Sequence, residues 1–217
     1  MLKNLWLGLV ALAGMVAAAD TAIYQDPDTG LTFSSAFALY KSDGRGITFR
    51  IAIPASAQQY APFDAVLQVV VPNDVGWAGL AWGGSMTRNP LLAAWKNGNN
   101  AVITSRWTTQ HTLPPTYAGS QYTLYKTGTK SNSTHWQFTA KCTGCTSWDG
   151  DGSGTTRYLN PKGGNRLAFA YSPSKPSNPS SASSSFPVHD VHGYWSHDFN
   201  AAINQNWDAV VQKLVVQ

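Results

Sequence analysis

Residues 76–86 read GWAGLAWGGSM. The aromatic and aliphatic side chains of residues 77–82 predict a short β-strand. The two glycines after this strand predict a turn, and the turn leads to Met86, the only methionine beyond the first 19 residues. A single thioether just past a Gly-Gly turn is a poor choice for filling a core, but it presents a soft sulfur well to a metal. We therefore treat Met86 as a candidate metal ligand.

Runs of the same kind recur along the chain between turns that contain glycine or proline. Six further strands are predicted over residues 47–53, 65–71, 101–107, 121–126, 135–140 and 166–171. Seven short strands without intervening helices predict an all-β fold, a two-sheet antiparallel, immunoglobulin-like β-sandwich. Close to the C-terminus, Asn200 is predicted to cap a short helix over residues 201–214, although residues 214–216 suit a strand equally well.

The first 19 residues have the pattern of a secretory signal peptide, with Lys3, an apolar stretch over residues 5–16 and three alanines before Asp20. We expect residues 1–19 to be removed and residues 20–217 to form one domain. No second apolar run approaches the roughly 20 residues that a membrane helix needs. We therefore expect a secreted, monomeric protein that does not associate with membranes. Asn132 begins the sequon Asn-Ser-Thr and is a candidate glycosylation site in that compartment.

The composition argues against several classes of function. The net charge is +4, and the 11 acidic residues are all aspartate. Glycosidases generally need two carboxylates at a set separation, and a chain without glutamate gives little support for such a pair. The basic residues are scattered rather than gathered in a stripe, which argues against nucleic-acid binding. We predict no residue that performs acid-base or nucleophilic catalysis.

Cys142 and Cys145 are the only cysteines and form a C-x-x-C pair. In a secreted chain such a pair favours a tight structural disulfide. A zinc site would need about four ligands, and no second pair lies nearby. Thr146 stands where a c-type haem attachment motif requires histidine, so any haem would be held without thioether links.

Three of the five histidines, His189, His192 and His197, follow a serine- and proline-rich stretch over residues 172–187. This stretch is too polar for a core and too long for a turn, so we predict a surface loop. Loops of a sandwich gather at its two ends, so Met86 and His189 are expected to meet at one such rim. A methionine and a histidine would fill both axial positions of a haem iron, an arrangement suited to electron transfer.

Several segments of the chain resemble, in order and with similar spacing, one known family. The segments are residues 76–86, 95–99, 105–107, 132–136, 142–145 and 186–195. They resemble the haem b cytochrome domain of fungal cellobiose dehydrogenase and its stand-alone relatives, the iron reductase domain family within the DOMON-type sandwiches. The resemblance covers nearly all of the chain after residue 19.

The resemblance implies haem b as the cofactor and assigns its ligands. The family's methionine falls on Met86, and its histidine falls on His189 by the register from Phe186. His192 is the competitor, because Gly193 follows it where the family also has glycine. The family's short disulfide corresponds to Cys142 and Cys145, in agreement with the expectation from the compartment.

Further cofactor contacts follow from the same resemblance. Trp82 and Trp95 are expected among the aromatic residues that keep the haem pocket dry, with Arg106 close to the haem. His111 stands where relatives often carry an aromatic hydroxyl near a haem propionate. An imidazole there would make that contact sensitive to pH near its ordinary pKa of about 6.5.

The implied function is one-electron transfer to a copper-dependent lytic polysaccharide monooxygenase, to ferric complexes or to quinones. The sequence contains no G-x-G-x-x-G dinucleotide turn, so the expected donor is a separate flavin dehydrogenase. One rival is a haem-free, carbohydrate-binding β-sandwich module, in which Trp82, Trp95 and Trp107 would stack on sugars or simply fill the core. A DOMON domain with another ligand is a further rival. A copper monooxygenase is disfavoured, because Asp20 and not histidine would be the mature N-terminus.

Overall fold

The computed structural model describes residues 20–215, so the signal peptide predicted for residues 1–19 lies outside the described part. Its first sheet is antiparallel along its main path. In spatial order its strands are β1 (Ala22–Gln25), β2 (Thr32–Leu39), β3 (Gly46–Pro54), β4 (Ala65–Pro72), β9 (His135–Thr143) and β8 (Gln121–Ser131). A short strand, β14 (Ile203–Asn204), adds to the end of β3 in parallel.

The second sheet is antiparallel throughout. In spatial order its strands are β13 (Val191–Asp198), β12 (Gly164–Ser172), β5 (Trp77–Ala81), β6 (Leu91–Asn97) and β7 (Asn100–Arg106). A separate hairpin is formed by β10 (Ser147–Asp149) and β11 (Thr156–Tyr158). The described chain ends in the helix α1 (Trp207–Val215).

The main core lies between the two sheets, because alternate residues of each strand point to the same side. From the first sheet, Phe49, Leu67 and Phe138 are completely buried in this core. From the second sheet, Leu80 and Leu167 pack into the same cluster. Each of the seven strands predicted from the sequence coincides with an observed strand, and the two-sheet sandwich is confirmed. Strands β1, β2, β6, β10, β11, β13 and β14 were not predicted.

The C-terminal helix is confirmed, but its predicted start is wrong. Residues 199–202 form a 3-10 helix capped by Asp198, whose carboxylate accepts from the N–H of Asn200. The chain then pairs with β3, and the side chain of Asn204 exchanges two hydrogen bonds with the backbone of Thr32. These contacts hold residues 203–204 extended, so the α-helix begins only at Trp207.

Two other sequence features are visible in the fold. Cys142 and Cys145 form a disulfide with both residues buried, as predicted. Asn132 lies exposed in the hairpin between β8 and β9. Within residues 20–215, no helix is long and apolar enough to cross a membrane.

Candidate functional site

The outer face of the second sheet, away from the sandwich core, forms the floor of a cavity of about 420 Å³. Five small residues make up this floor and are neighbours across three strands. They are Gly79 and Ala81 on β5, Ala93 on β6, and Ala168 and Ala170 on β12. Ala170 pairs with Gly79, and Gly79 pairs with Ala93. A row of side chains this short leaves a broad, shallow and apolar surface that suits a flat ligand.

The walls of the cavity are mostly apolar and come from the edges of the sheet and from loops. Trp77 stands at one end of the floor, and its ring centroid lies 4.7 Å from that of Phe186. Leu113 and Val188 line the opening from two different loops. A cavity of this size, with an apolar lining and a few convergent polar groups, is typical of a cofactor site.

Met86 lines the cavity from the turn that follows β5. Asn89 holds this turn, since its Oδ1 accepts from the N–H of Gly83 at 2.8 Å and its Nδ2 donates to the carbonyl of Ser85 at 2.8 Å. Gly84 has a φ of +70°, and a Cβ there would lie 2.7 Å from the backbone oxygen of Arg166. Only glycine satisfies both conditions, so the Gly-Gly pair is required to place Met86 over the sheet.

His189 and His192 line the same cavity, with their ring centroids 4.9 Å apart. His192 projects from β13 opposite Ala170, at the side of the floor. His189 lies just before β13, where the neighbouring Asp190 is anchored by its N–H to Tyr171 and by its carboxylate to Ser172. Burial, followed by the nearby His192, lowers the pKa of His189. Both effects favour the neutral imidazole, which is the form that binds metals.

Arg106, expected near the cofactor, lines the cavity as a buried cation. Its guanidinium donates to the carbonyls of Pro114, Ala182 and Ser184 at 2.7–3.0 Å, and its Nε donates to Thr104. No carboxylate of the described residues forms an ion pair with it. Burial lowers the pKa of Arg106. This side chain therefore ties two loops to the sheet and leaves a positive charge beside the cavity.

His111 also lines the cavity, from an exposed position. Trp82 and Trp95 do not line it, which corrects their expected place against the cofactor. Trp82 points into the main core, where its indole N–H donates to the hydroxyl of Tyr122 at 2.9 Å. Trp95 lies behind the wall, where its indole N–H donates to the carbonyl of Pro179 and its ring centroid lies 6.1 Å from that of Phe186.

The structure also corrects where the candidate ligands meet. Met86 and His189 were expected at a loop rim at one end of the sandwich, but they line a cavity on the face of a sheet. The floor was not predicted at all. Its signal is present in the sequence, because β5, β6 and β12 carry glycine or alanine at the central outward positions, residues 79, 81, 93, 168 and 170. Side chains this small on a sheet face imply that something else covers it.

The residues present fit haem better than an isolated metal ion. Within residues 20–215, no three histidine, cysteine or carboxylate side chains gather into a metal cluster. The cavity instead combines one thioether, two imidazoles, a buried cation and a wide apolar floor. A soft sulfur and an imidazole are axial ligands of cytochrome haem, and a buried guanidinium suits the carboxylates that haem carries.

Residues 24–209 match the family model described as the cytochrome domain of cellobiose dehydrogenase. A curated relative is the pyrroloquinoline quinone-dependent pyranose dehydrogenase of Coprinopsis cinerea, 31% identical over 210 residues. That alignment covers 96% of this chain but only 27% of the relative. The chain thus spans about a quarter of that dehydrogenase.

Two solved structures share the fold. The cytochrome b domain of pyranose dehydrogenase from Coprinopsis cinerea superposes with a TM-score of 0.75 at 28% identity, over 91% of this chain and 96% of that domain. The cytochrome domain of Myriococcum thermophilum cellobiose dehydrogenase superposes with a TM-score of 0.79 at 23% identity, over 91% and 98% respectively.

Proposed function

The chain belongs to the family of cellobiose dehydrogenase cytochrome domains, and from this membership we propose that it is a secreted b-type cytochrome that transfers single electrons. One observation carries the proposal. Met86 and two histidines, more than 100 residues apart in sequence, line one apolar cavity over a floor of glycine and alanine.

In this proposal Met86 and His189 are the residues that would hold the haem iron. His189 is preferred over His192 because it is the less exposed of the two and its pKa is lowered by burial. Haem held by a methionine and a histidine would supply reversible one-electron chemistry, and the thioether would raise its potential.

The other cavity residues have supporting roles. The apolar walls around Trp77 and Phe186 exclude water from the cofactor, which tunes its potential. Arg106 offers positive charge to a haem propionate while it holds the loops around Pro114 and Ser184. His111, which lines the same cavity, is proposed to donate to a propionate.

We propose that the electrons come from an extracellular dehydrogenase that uses flavin or pyrroloquinoline quinone. Support for the second cofactor comes from the name of the curated relative. The proposed acceptors are a lytic polysaccharide monooxygenase, ferric complexes or quinones, so that any iron reductase activity reflects the accessible edge of the haem. Asn132, exposed in its hairpin, is the proposed glycosylation site of the secreted protein.

Absorption spectra of the purified protein, oxidised and then reduced with dithionite, test the assignment. We expect the sharp bands of low-spin haem, and we expect Met86→Ala to give a high-spin spectrum that responds to added ligands. His189→Ala should lose haem more readily than His192→Ala, and the reverse order would exchange the two histidines. A colourless protein, expressed with ample haem and retained on cellulose, would overturn the proposal in favour of a carbohydrate-binding module.

A further inference from the structure

Some basic side chains of this chain form ion pairs with aspartates, and others do not. The ion pairs formed within residues 20–215 involve Lys41, Arg45, Lys130 and Lys141, all on or beside strands of the first sheet. Three exposed arginines near the turn that carries Met86, namely Arg88, Arg157 and Arg166, form no ion pair within these residues. The cavity side of the molecule therefore carries exposed cations that its own carboxylates do not neutralise.

Arg166 lies directly at the cavity wall. It projects from β12 on the same face as Ala168, and its guanidinium carbon lies 4.3 Å from the ring centroid of Tyr194, which lines the cavity. Its backbone also packs against Gly84 in the turn that carries Met86. A guanidinium stacked on an aromatic ring keeps its charge exposed while losing little conformational freedom.

Arg88 and Arg157 meet beside the same turn. Arg88 follows Met86 by two residues and has a φ of +62°, a left-handed conformation rarely adopted by an arginine. Its N–H donates to the carbonyl of Thr108 at 2.8 Å, which anchors it. Both arginines lie close to Gly150. A Cβ on Gly150 would lie 2.9 Å from the carbonyl oxygen of Arg88 and 3.4 Å from Nε of Arg157.

The nearest carboxylates are engaged elsewhere. Asp149 accepts from the N–H groups of Gly152 and Gly154, and Asp151 accepts from that of Ser153. Hydrogen bonds from the side chain and then the backbone N–H of Ser153 lower the pKa of Asp151, with a smaller contribution from Arg157. Both carboxylates are thus held toward their own hairpin loop, and the arginines remain available to another molecule.

The opening between these arginines is unusually apolar. Val188, Tyr194 and Leu113 line the cavity mouth with 81%, 59% and 47% of their surface exposed, respectively. Large apolar side chains grouped at an opening mark a contact with another macromolecule. An apolar centre with charged residues at its border is the usual composition of a protein interface.

We propose that the face formed by Arg88, Arg157, Arg166, Leu113, Val188 and Tyr194, here called the arginine face, is the docking surface for an acidic redox protein. The inference rests on the proposed function, because it makes the cavity mouth the point where electrons leave or enter. The partner presents carboxylates around an apolar contact patch, and charge attraction between the two surfaces accelerates their encounter.

Stopped-flow kinetics of the reduced holoprotein test this surface. The probes are an acidic blue-copper protein and a basic c-type cytochrome of similar potential. Electrostatic steering predicts that the rate constant with the acidic probe falls about tenfold or more between low and high ionic strength. The variant Arg88→Gln/Arg157→Gln/Arg166→Gln should be slower by a similar factor at low salt and lose most of the salt dependence.

The control variant Lys126→Gln/Lys130→Gln/Lys213→Gln removes the same net charge from β8 and α1. At about 0.1 M ionic strength, where the Debye length is about 10 Å, it should react with the acidic probe within about twofold of the wild type, because its lysines lie on β8 and α1 and not on the arginine face. Equal slowing in both variants, or faster reaction with the basic probe at low salt, would overturn the docking surface.

Two further measurements separate this inference from its premise. The absorption spectrum reports whether haem is bound, and surface plasmon resonance on the immobilised acidic probe reports docking without any need for haem. Polygalacturonate serves as the competitor in that experiment. If it displaces the protein from the probe and itself binds through the same arginines more tightly, the face serves an anionic polysaccharide and the protein partner is rejected.

Discussion

Arg106 shows how one side chain can organise a cavity. Its guanidinium binds three carbonyls from two separate loops, around Pro114 and around residues 182–184. Lysine keeps the charge but cannot make these planar, divergent bonds. The position therefore depends on the shape of arginine as well as on its charge.

We predict that Arg106→Lys lowers the free energy of unfolding by about 3 kcal/mol, because hydrogen bonds to a charged donor are lost and buried carbonyls are left unpaired. Urea unfolding measures this change. The exposed Arg157→Lys is the control and should stay within about 0.5 kcal/mol of the wild type. Equal stability of the two variants would show that the loops are held by other contacts.

His197 is a buried histidine away from the cavity. Its Nδ1 accepts from the indole N–H of Trp195 at 2.9 Å, and its ring packs edge-on against Phe199. Burial lowers the pKa of His197 to about 3. The folded protein therefore keeps this ring neutral well below the pH at which an unfolded histidine takes up a proton.

This difference predicts a specific pH dependence of stability. Below pH 6.5 the unfolded state binds a proton that the folded state does not, so stability is lost as the pH falls from about 6.5 towards 3, at up to about 1.4 kcal/mol per pH unit. His197→Gln keeps an acceptor for Trp195 but does not titrate. Urea unfolding at pH 7, 6 and 5 should give a flatter profile for this variant, and identical slopes would contradict the assignment.

At the scale of elements, three strands serve two surfaces at once. On β5, Leu80 points into the core while Gly79 and Ala81 form the cavity floor. On β12, Phe169 alternates in the same way with Ala168 and Ala170. The large residues stabilise the sandwich, and the small ones leave room above it.

The small side chains of the cavity floor predict that a larger side chain there blocks haem binding. In Ala170→Leu the new side chain would rise into the cavity, so haem binding should be lost while far-UV circular dichroism and the urea midpoint remain close to those of the wild-type apoprotein. Haem content per protein measures the effect. Ala55→Leu, at an exposed loop position, is the matched control and should bind haem normally. Full haem content in Ala170→Leu would place the cofactor elsewhere.

At the scale of the whole molecule, the two faces of the second sheet differ in what covers them. The inner face packs against the first sheet, whereas the outer face is covered by loops and by the proposed haem. We expect the sandwich core to persist without the cofactor, because its buried residues lie between the two sheets, and we expect the loops over the outer face to lose contacts when haem is absent.

Removal of haem should therefore lower thermal stability without unfolding the sandwich. A ligand that binds only the folded state stabilises it by roughly 4 kcal/mol at a thousandfold excess over its dissociation constant. Differential scanning calorimetry should show a lower Tm for the apoprotein, and limited proteolysis should cut first in residues 172–189. Loss of the β-sheet circular dichroism signal on haem removal would contradict the prediction that the sandwich stays folded without haem.

The sequence by itself determined seven of the fourteen strands in the described residues, because strand formation depends partly on local alternation and local turn chemistry. The seven predicted strands, the Cys142–Cys145 disulfide and the turn that presents Met86 all follow from residues close together in the chain. The family resemblance came from the same local segments. Where nearby residues compete with tertiary pairing, as at residues 203–204, the sequence prediction of a longer helix failed.

Only the tertiary structure decided where the site lies and which side chains face it. Alternation shows that neighbouring residues of a strand point in opposite directions, but not which direction is the core. The sequence therefore could not show which side of the sheet Trp82 and Trp95 face. In the structure Trp82 packs in the main core, and Trp95 packs behind the cavity wall. His192 lines the same cavity as Met86 because β13 pairs with β12 in one particular register. Such pairing joins distant segments, and its energy depends on the whole sheet rather than on any one stretch of chain.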